Sequence, residues 1–132
     1  MNTKQQFILI LDDDESVRQS YAAHFEDRGW KVMSMRTAEE ALVALREENP
    51  SGAIVDIRLP GMDGNEFMRE VGLTHPTLAC VVCTGSPEYR LPDNVAILPH
   101  VSKTLFTKPV LDMAELEAEL SRQIKKHDDR KN

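Results

Sequence analysis

Five short apolar runs of strand length, separated by stretches of helical period, constrain this chain more than any other feature of its sequence. The first, Phe7–Leu11, is apolar on both faces, as a central strand of a parallel sheet must be, and stops at Asp12-Asp13-Asp14. Val17, Tyr21, Ala22 and Phe25 then recur at helical spacing, with Ser16 and Gln19 as a capping box and Gly29 as the stop. A weaker second strand over residues 30–35 precedes a second capping box, Thr37 with Glu40, and the apolar stripe Ala38, Ala41, Leu42 and Leu45, closed by Asn49-Pro50. The third strand, Gly52–Val55, ends at Asp56 and runs into a loop punctuated by Pro60, Gly61 and Gly64. There Asp63 is placed to cap a short helix with Glu66 three residues on. The fourth strand, residues 78–83, leads into Thr84-Gly85-Ser86-Pro87, and the fifth, residues 105–107, ends at Lys108-Pro109. Asp112 with Glu115 opens a last helix bearing Met113, Leu116, Leu120 and Ile124, and residues 125–132 read as a charged tail that frays.

Strands alternating with helices imply right-handed βαβ units, hence an α/β fold: one doubly wound five-stranded parallel sheet with helices on both faces. At 132 residues the chain holds a single domain, placed at residues 1–124, with enough core to need neither disulfide nor structural metal. A formal charge of −6 argues against a surface that neutralises nucleic-acid phosphates, and favours cations as partners. The run at Phe7–Leu11 is too short for a signal peptide, and no stretch approaches membrane-spanning length, so a cytoplasmic location is expected. Cys80 and Cys83 are spaced as CxxC but lie within the fourth strand, where positions three apart face opposite sides; they read as two small core thiols. The four histidines show no ligand spacing, and most read as surface residues.

Ligands of open parallel sheets bind beyond the carboxyl ends of the strands. Four such ends here carry reactive groups: Asp12, Asp13 and Asp14, then Asp56, then Thr84, then Lys108. Taken singly these have plain structural readings: a helix start for the aspartates, a turn for Thr84, a surface charge for Lys108. Delivered to one edge, the carboxylates repel one another unless a cation sits among them. An oxygen-only cluster without His or Cys suits Mg²⁺, with Mn²⁺ as the alternative ion. Asp13 and Asp56 are expected as direct ligands, and Asp12 as a ligand directly or through water. With Lys108 and the Thr84 hydroxyl aimed at phosphoryl oxygens, Asp56 is left as the nucleophile that forms an aspartyl phosphate.

The motifs ILILDDDESVR at 8–18, AIVDIRLPGMDG at 53–64, CVVCTGS at 80–86 and LFTKPV at 105–110 resemble the receiver domain of bacterial two-component response regulators over nearly the whole chain. The resemblance implies a flavodoxin-like strand order 2-1-3-4-5. It also implies Asp12 and Asp13 as the acidic metal pair, Asp56 as phosphoacceptor, a backbone carbonyl of Arg58 on the metal, Thr84 as the switch hydroxyl, Lys108 as the phosphate-contacting lysine, and a cis Lys108-Pro109 bond. It implies phosphoryl transfer from a sensor histidine kinase or histidine phosphotransfer protein, and a regulator rather than a turnover enzyme. Output is expected through contact with an unidentified protein, not through nucleic acid or membrane; self-association into a homodimer is compatible with it. Two departures stand out. Leu105 occupies the place of the family's switch aromatic, with Phe106 one position later, and residues 84–108 contain Pro87, Pro92 and Pro99, which predict a short or irregular fourth helix. Three other functions compete with this one. A receiver-like module working without phosphorylation is one. A metal-dependent phosphohydrolase would need an acid where Arg58 stands, and a flavin binder would need a phosphate-cradling loop where the aspartates stand.

Overall fold

The computed structural model describes the backbone of residues 5–131 and side chains through Asp128; residues 1–4 and Asn132, the outer ends of the expected domain and tail, lie outside the described residues. Strands β1 (Phe7–Leu11), β2 (Lys31–Met35), β3 (Gly52–Val55), β4 (Ala79–Thr84) and β5 (Val101–Thr107) alternate with helices α1 (Glu15–Asp27), α2 (Ala38–Ala44), α3 (Gly64–Thr74), α4 (Asp93–Ala96) and α5 (Met113–Lys131). All pairings are parallel, in the order β2-β1-β3-β4-β5. The doubly wound sheet expected from the alternation is therefore present, and β1 and β3 meet at its centre. No helix among the described residues is long and apolar enough to cross a membrane.

Strand alternation splits the core in two. Leu9, Leu11, Ala53, Val55, Cys80 and Val82 point into a layer covered by α2, α3 and α4, whereas Ile8, Ile10, Ile54, Val81 and Cys83 pack with Phe25, Leu116, Leu120 and Ile124 under α1 and α5. Cys80 and Cys83 are both free and buried, on opposite faces, as the strand period requires. Burial pushes the Cys83 thiol up to about 12, far from the reactive range.

Several local readings need correction. Asp14, not Ser16, caps α1: its carboxylate accepts from the N–H groups of Ser16 (2.9 Å) and Val17 (3.3 Å), and the Ser16 hydroxyl itself donates to Asp14. An aspartate just before the first turn also meets the positive end of the helix dipole, which outweighs the Ser/Gln pattern. The second capping box is half formed, with Thr37 accepting from the Glu40 N–H while its hydroxyl bonds the Glu40 carboxylate; the third, Asp63 with Glu66, is complete. β5 begins at Val101, well before Leu105, because Val101 pairs with Cys80 and the strand then bulges before Leu105 pairs with Val82. In the bulge Ser102 turns inward to donate to the buried Glu119 of α5, so a polar stretch lies inside a strand. α4 is a single turn without a side-chain cap, as its prolines predict.

The histidines are not surface residues. His100 and His127 are buried and His24 and His75 half-buried. The His24 ring bonds Glu117 (3.0 Å), the His75 ring the Leu45 carbonyl (2.9 Å), and the His100 ring the Met68 carbonyl (2.9 Å). Helix α5 runs to Lys131, and Ile124 and His127 continue its buried face past the last leucine.

Candidate functional site

Each strand that ends on a chemical group delivers it to the same edge. Asp12 follows β1 and is 1% exposed; its N–H reaches the Met35 carbonyl (3.3 Å), and its own carbonyl accepts from Arg18 of α1 (2.7 Å). Asp13 is exposed, and Asp56, just after β3, is 5% exposed with its N–H on the Leu11 carbonyl at 2.9 Å. Ladder-like bonds to β2 and β1 thus place the backbones of Asp12 and Asp56, and the Asp14 N–H further holds Asp12 Oδ1 (2.9 Å). Thr84 closes β4, buried, and Lys108 follows β5 with its N–H on the Thr84 carbonyl (2.7 Å). The Lys108-Pro109 peptide is cis.

The Lys108 ammonium lies 2.9 Å from Asp12 Oδ2 and 3.2 Å from Asp56 Oδ2. Burial opposes its charge, but the two carboxylates win, so Lys108 is held above its ordinary range. Burial and then repulsion from Asp12 push the Asp56 carboxyl up, against the pull of Lys108. One ammonium therefore does not fully offset the acids. Oxygens of Asp12, Asp13 and Asp56 all lie within 4.8 Å of one another. An oxygen-only set of this size, two parts buried and incompletely neutralised, fits a hard divalent cation such as Mg²⁺.

The cluster opens into a cleft of about 420 Å³ lined by Asp13, Asp56, Thr84 and Lys108, together with Arg58 and Glu88. The Thr84 oxygen accepts from the Ser86 N–H (3.2 Å), which leaves its hydroxyl hydrogen for another acceptor. Every site residue expected from sequence reaches this edge; Arg58 does so through the loop after β3. Leu105 is half-buried on the α2–α4 side and Phe106 packs on the opposite face with α1 and α5, so no aromatic of β5 stands on the α4 side. Tyr89, from the loop after β4, instead packs there and donates its hydroxyl to Asn65 of α3 (2.5 Å).

Sequence reasoning missed two participants. Gly64 is one: a Cβ there would stand 2.2 Å from the Asp56 carbonyl oxygen, so only glycine lets α3 start against Asp56. Arg18, on the Asp12 carbonyl, is the other, and no spacing rule singles it out.

Comparisons with known proteins agree with this geometry. The family model described as "Response regulator receiver domain" matches residues 8–121. The C4-dicarboxylate transport transcriptional regulatory protein DctD of Rhizobium meliloti is 35% identical over 78 residues, 59% of this chain and 17% of that protein. The DNA-binding transcriptional regulator NtrC of Salmonella typhimurium is 30% identical over 77 residues, 58% and 16% respectively. The chain thus spans about a sixth of the length of these relatives. Among solved structures, a CheY-like response regulator receiver domain protein from Methanospirillum hungatei superposes with a TM-score of 0.81 at 25% identity, covering 96% of this chain and 99% of the other. The response regulator TrrA of Thermotoga maritima, solved in complex with Mg²⁺-BeF, gives 0.79 at 20% identity, covering 90% and 99%.

Proposed function

The chain belongs to the response regulator receiver domain family, a phosphoacceptor signalling module, and from that premise we propose that Asp56 is the residue that takes the phosphoryl group. The donor is a phosphohistidine on a sensor histidine kinase or histidine phosphotransfer protein, and the setting is the cytoplasm. An oxygen of Asp56 attacks phosphorus while the phosphorus–nitrogen bond to the donor imidazole breaks, its electron pair staying with the nitrogen. Asp13, Asp56 and the Arg58 carbonyl would hold Mg²⁺, with Asp12 taking part directly or through water. Bound Mg²⁺ supplies positive charge to the phosphoryl oxygens in a site otherwise too anionic to admit them. Lys108 pairs with a second oxygen, and the Thr84 hydroxyl donates to a third.

The observation that carries this reading is the Lys108 ammonium, 2.9 and 3.2 Å from two buried carboxylates at the mouth of an open cleft. The Mg²⁺-BeF complex of TrrA, a protein of the same fold, supports it. Phosphorylation then shifts the module between two pre-existing conformations and changes which protein it contacts. The acid–lysine set weighs against a module that works without phosphate.

Incubation with acetyl phosphate should add one phosphoryl group, mapped to Asp56, only when Mg²⁺ is present. The Asp56→Asn protein should gain none. Absence of both labelling and Mg²⁺-dependent beryllofluoride binding in the wild type would remove the proposal.

A further inference from the structure

The loop between β3 and α3 carries Arg58, whose carbonyl the reading above gives to the metal, and this inference rests on that reading. Its far end is anchored firmly: the Gly64 N–H donates to the Ile57 carbonyl (2.9 Å), and Asp63 sits in its capping box. The stretch between is held far more lightly. Leu59 and Met62 pack partly against the core. Pro60 has no N–H to offer. Among the described residues, one hydrogen bond ties residues 58–62 to the rest of the molecule, from the Met62 N–H to Glu39 Oε2 at 2.9 Å. Glu39 comes from the first turn of α2, the neighbouring helix on the same face of the sheet.

The backbone is shaped to meet that carboxylate. Gly61 adopts φ +74°, a conformation that disfavours side chains, and an ideal Cβ there would stand 2.6 Å from the same Oε2. Backbone N–H groups of Met62 and of Glu39 itself hold the Glu39 carboxyl below its usual range, so the acceptor is ionised at neutral pH. We infer that Glu39 is a positioning residue for the metal centre: by gripping the Met62 N–H it fixes the loop that presents the Arg58 carbonyl. It touches neither ion nor phosphoryl group.

The test compares the full-length wild type with Glu39→Ala and Glu39→Gln. Mg²⁺ affinity is read by calorimetry, Met62 amide exchange by NMR and unfolding by circular dichroism. Glu39→Ala should weaken Mg²⁺ binding roughly three- to tenfold, as loss of a single solvent-exposed hydrogen bond implies. The Met62 amide should exchange faster, while the melting temperature stays near that of the wild type because the side chain is exposed. Glu39→Gln keeps an oxygen acceptor and should restore both affinity and protection to within about twofold. Wild-type affinity in Glu39→Ala overturns the inference. So does Glu39→Gln as weak as Glu39→Ala, which would mean that charge at a distance, not the hydrogen bond, matters. If the wild type itself binds no Mg²⁺, the metal reading fails instead, and Met62 exchange alone decides: equal protection in the Ala and Gln variants overturns Glu39 as the grip on the loop.

Discussion

Asp56 is the residue at which local energetics and function conflict most directly. Buried beside Asp12, its charge is costly, and Lys108 recovers only part of that cost. Replacing it with the isosteric amide removes the repulsion, so Asp56→Asn should raise the melting temperature in Mg²⁺-free buffer by roughly 2–5 °C. A lower melting temperature would show that the pairing with Lys108 outweighs the repulsion from Asp12. Gly64 is the opposite case. Its missing side chain leaves room for the Asp56 carbonyl, and backbone cannot give way as a flexible side chain can. Gly64→Ala should cost roughly 3 kcal/mol or more and abolish acetyl phosphate labelling even where the protein remains folded, which denaturant titration paired with mass analysis would check.

Elements with strong periodicity were legible before any coordinates, and those shaped by their neighbours were not. β1 and β3, continuous apolar runs at the sheet centre, match their expected bounds. β5 does not, because at the sheet edge its polar residues 102–104 are absorbed by a bulge and by Glu119 rather than by a core-facing alternation. The bulge also blunts the open edge against pairing with another sheet. In α5 the apolar stripe legible to Ile124 has one more buried member, His127, hidden among charges. Deleting residues 125–132 should therefore lower stability by roughly 2 kcal/mol rather than leave it unchanged. A deletion protein that melts with the wild type would restore the picture of a dispensable tail.

A further source of pH response in the whole molecule lies away from the acidic cleft. His100 is buried against Met68; burial first, then His127 and Lys103, hold its pKa below 6.5. A histidine whose folded pKa is depressed binds fewer protons folded than unfolded, so its contribution is complete above about pH 6.5 and is lost as pH falls toward the folded value. Wild-type melting temperature should thus fall between pH 7 and pH 5, and His100→Gln should flatten that slope. Mg²⁺ bound as proposed at the opposite end of the sheet should stabilise by mass action: at a hundredfold excess over its dissociation constant it should add about 2.7 kcal/mol to the wild type and nothing comparable to Asp13→Asn. By itself the sequence determined the alternation of strands and helices, the proline-limited α4 and the four strand ends that carry the site, because period, punctuation and the geometry of parallel sheets are local or topological rules. Only the tertiary structure decided that Lys108 bridges Asp12 and Asp56, that Glu39 reaches Met62, and that none of the four histidines is exposed. Those contacts join residues far apart in the chain, and their distances follow from how helices settle on the sheet, which no local pattern encodes.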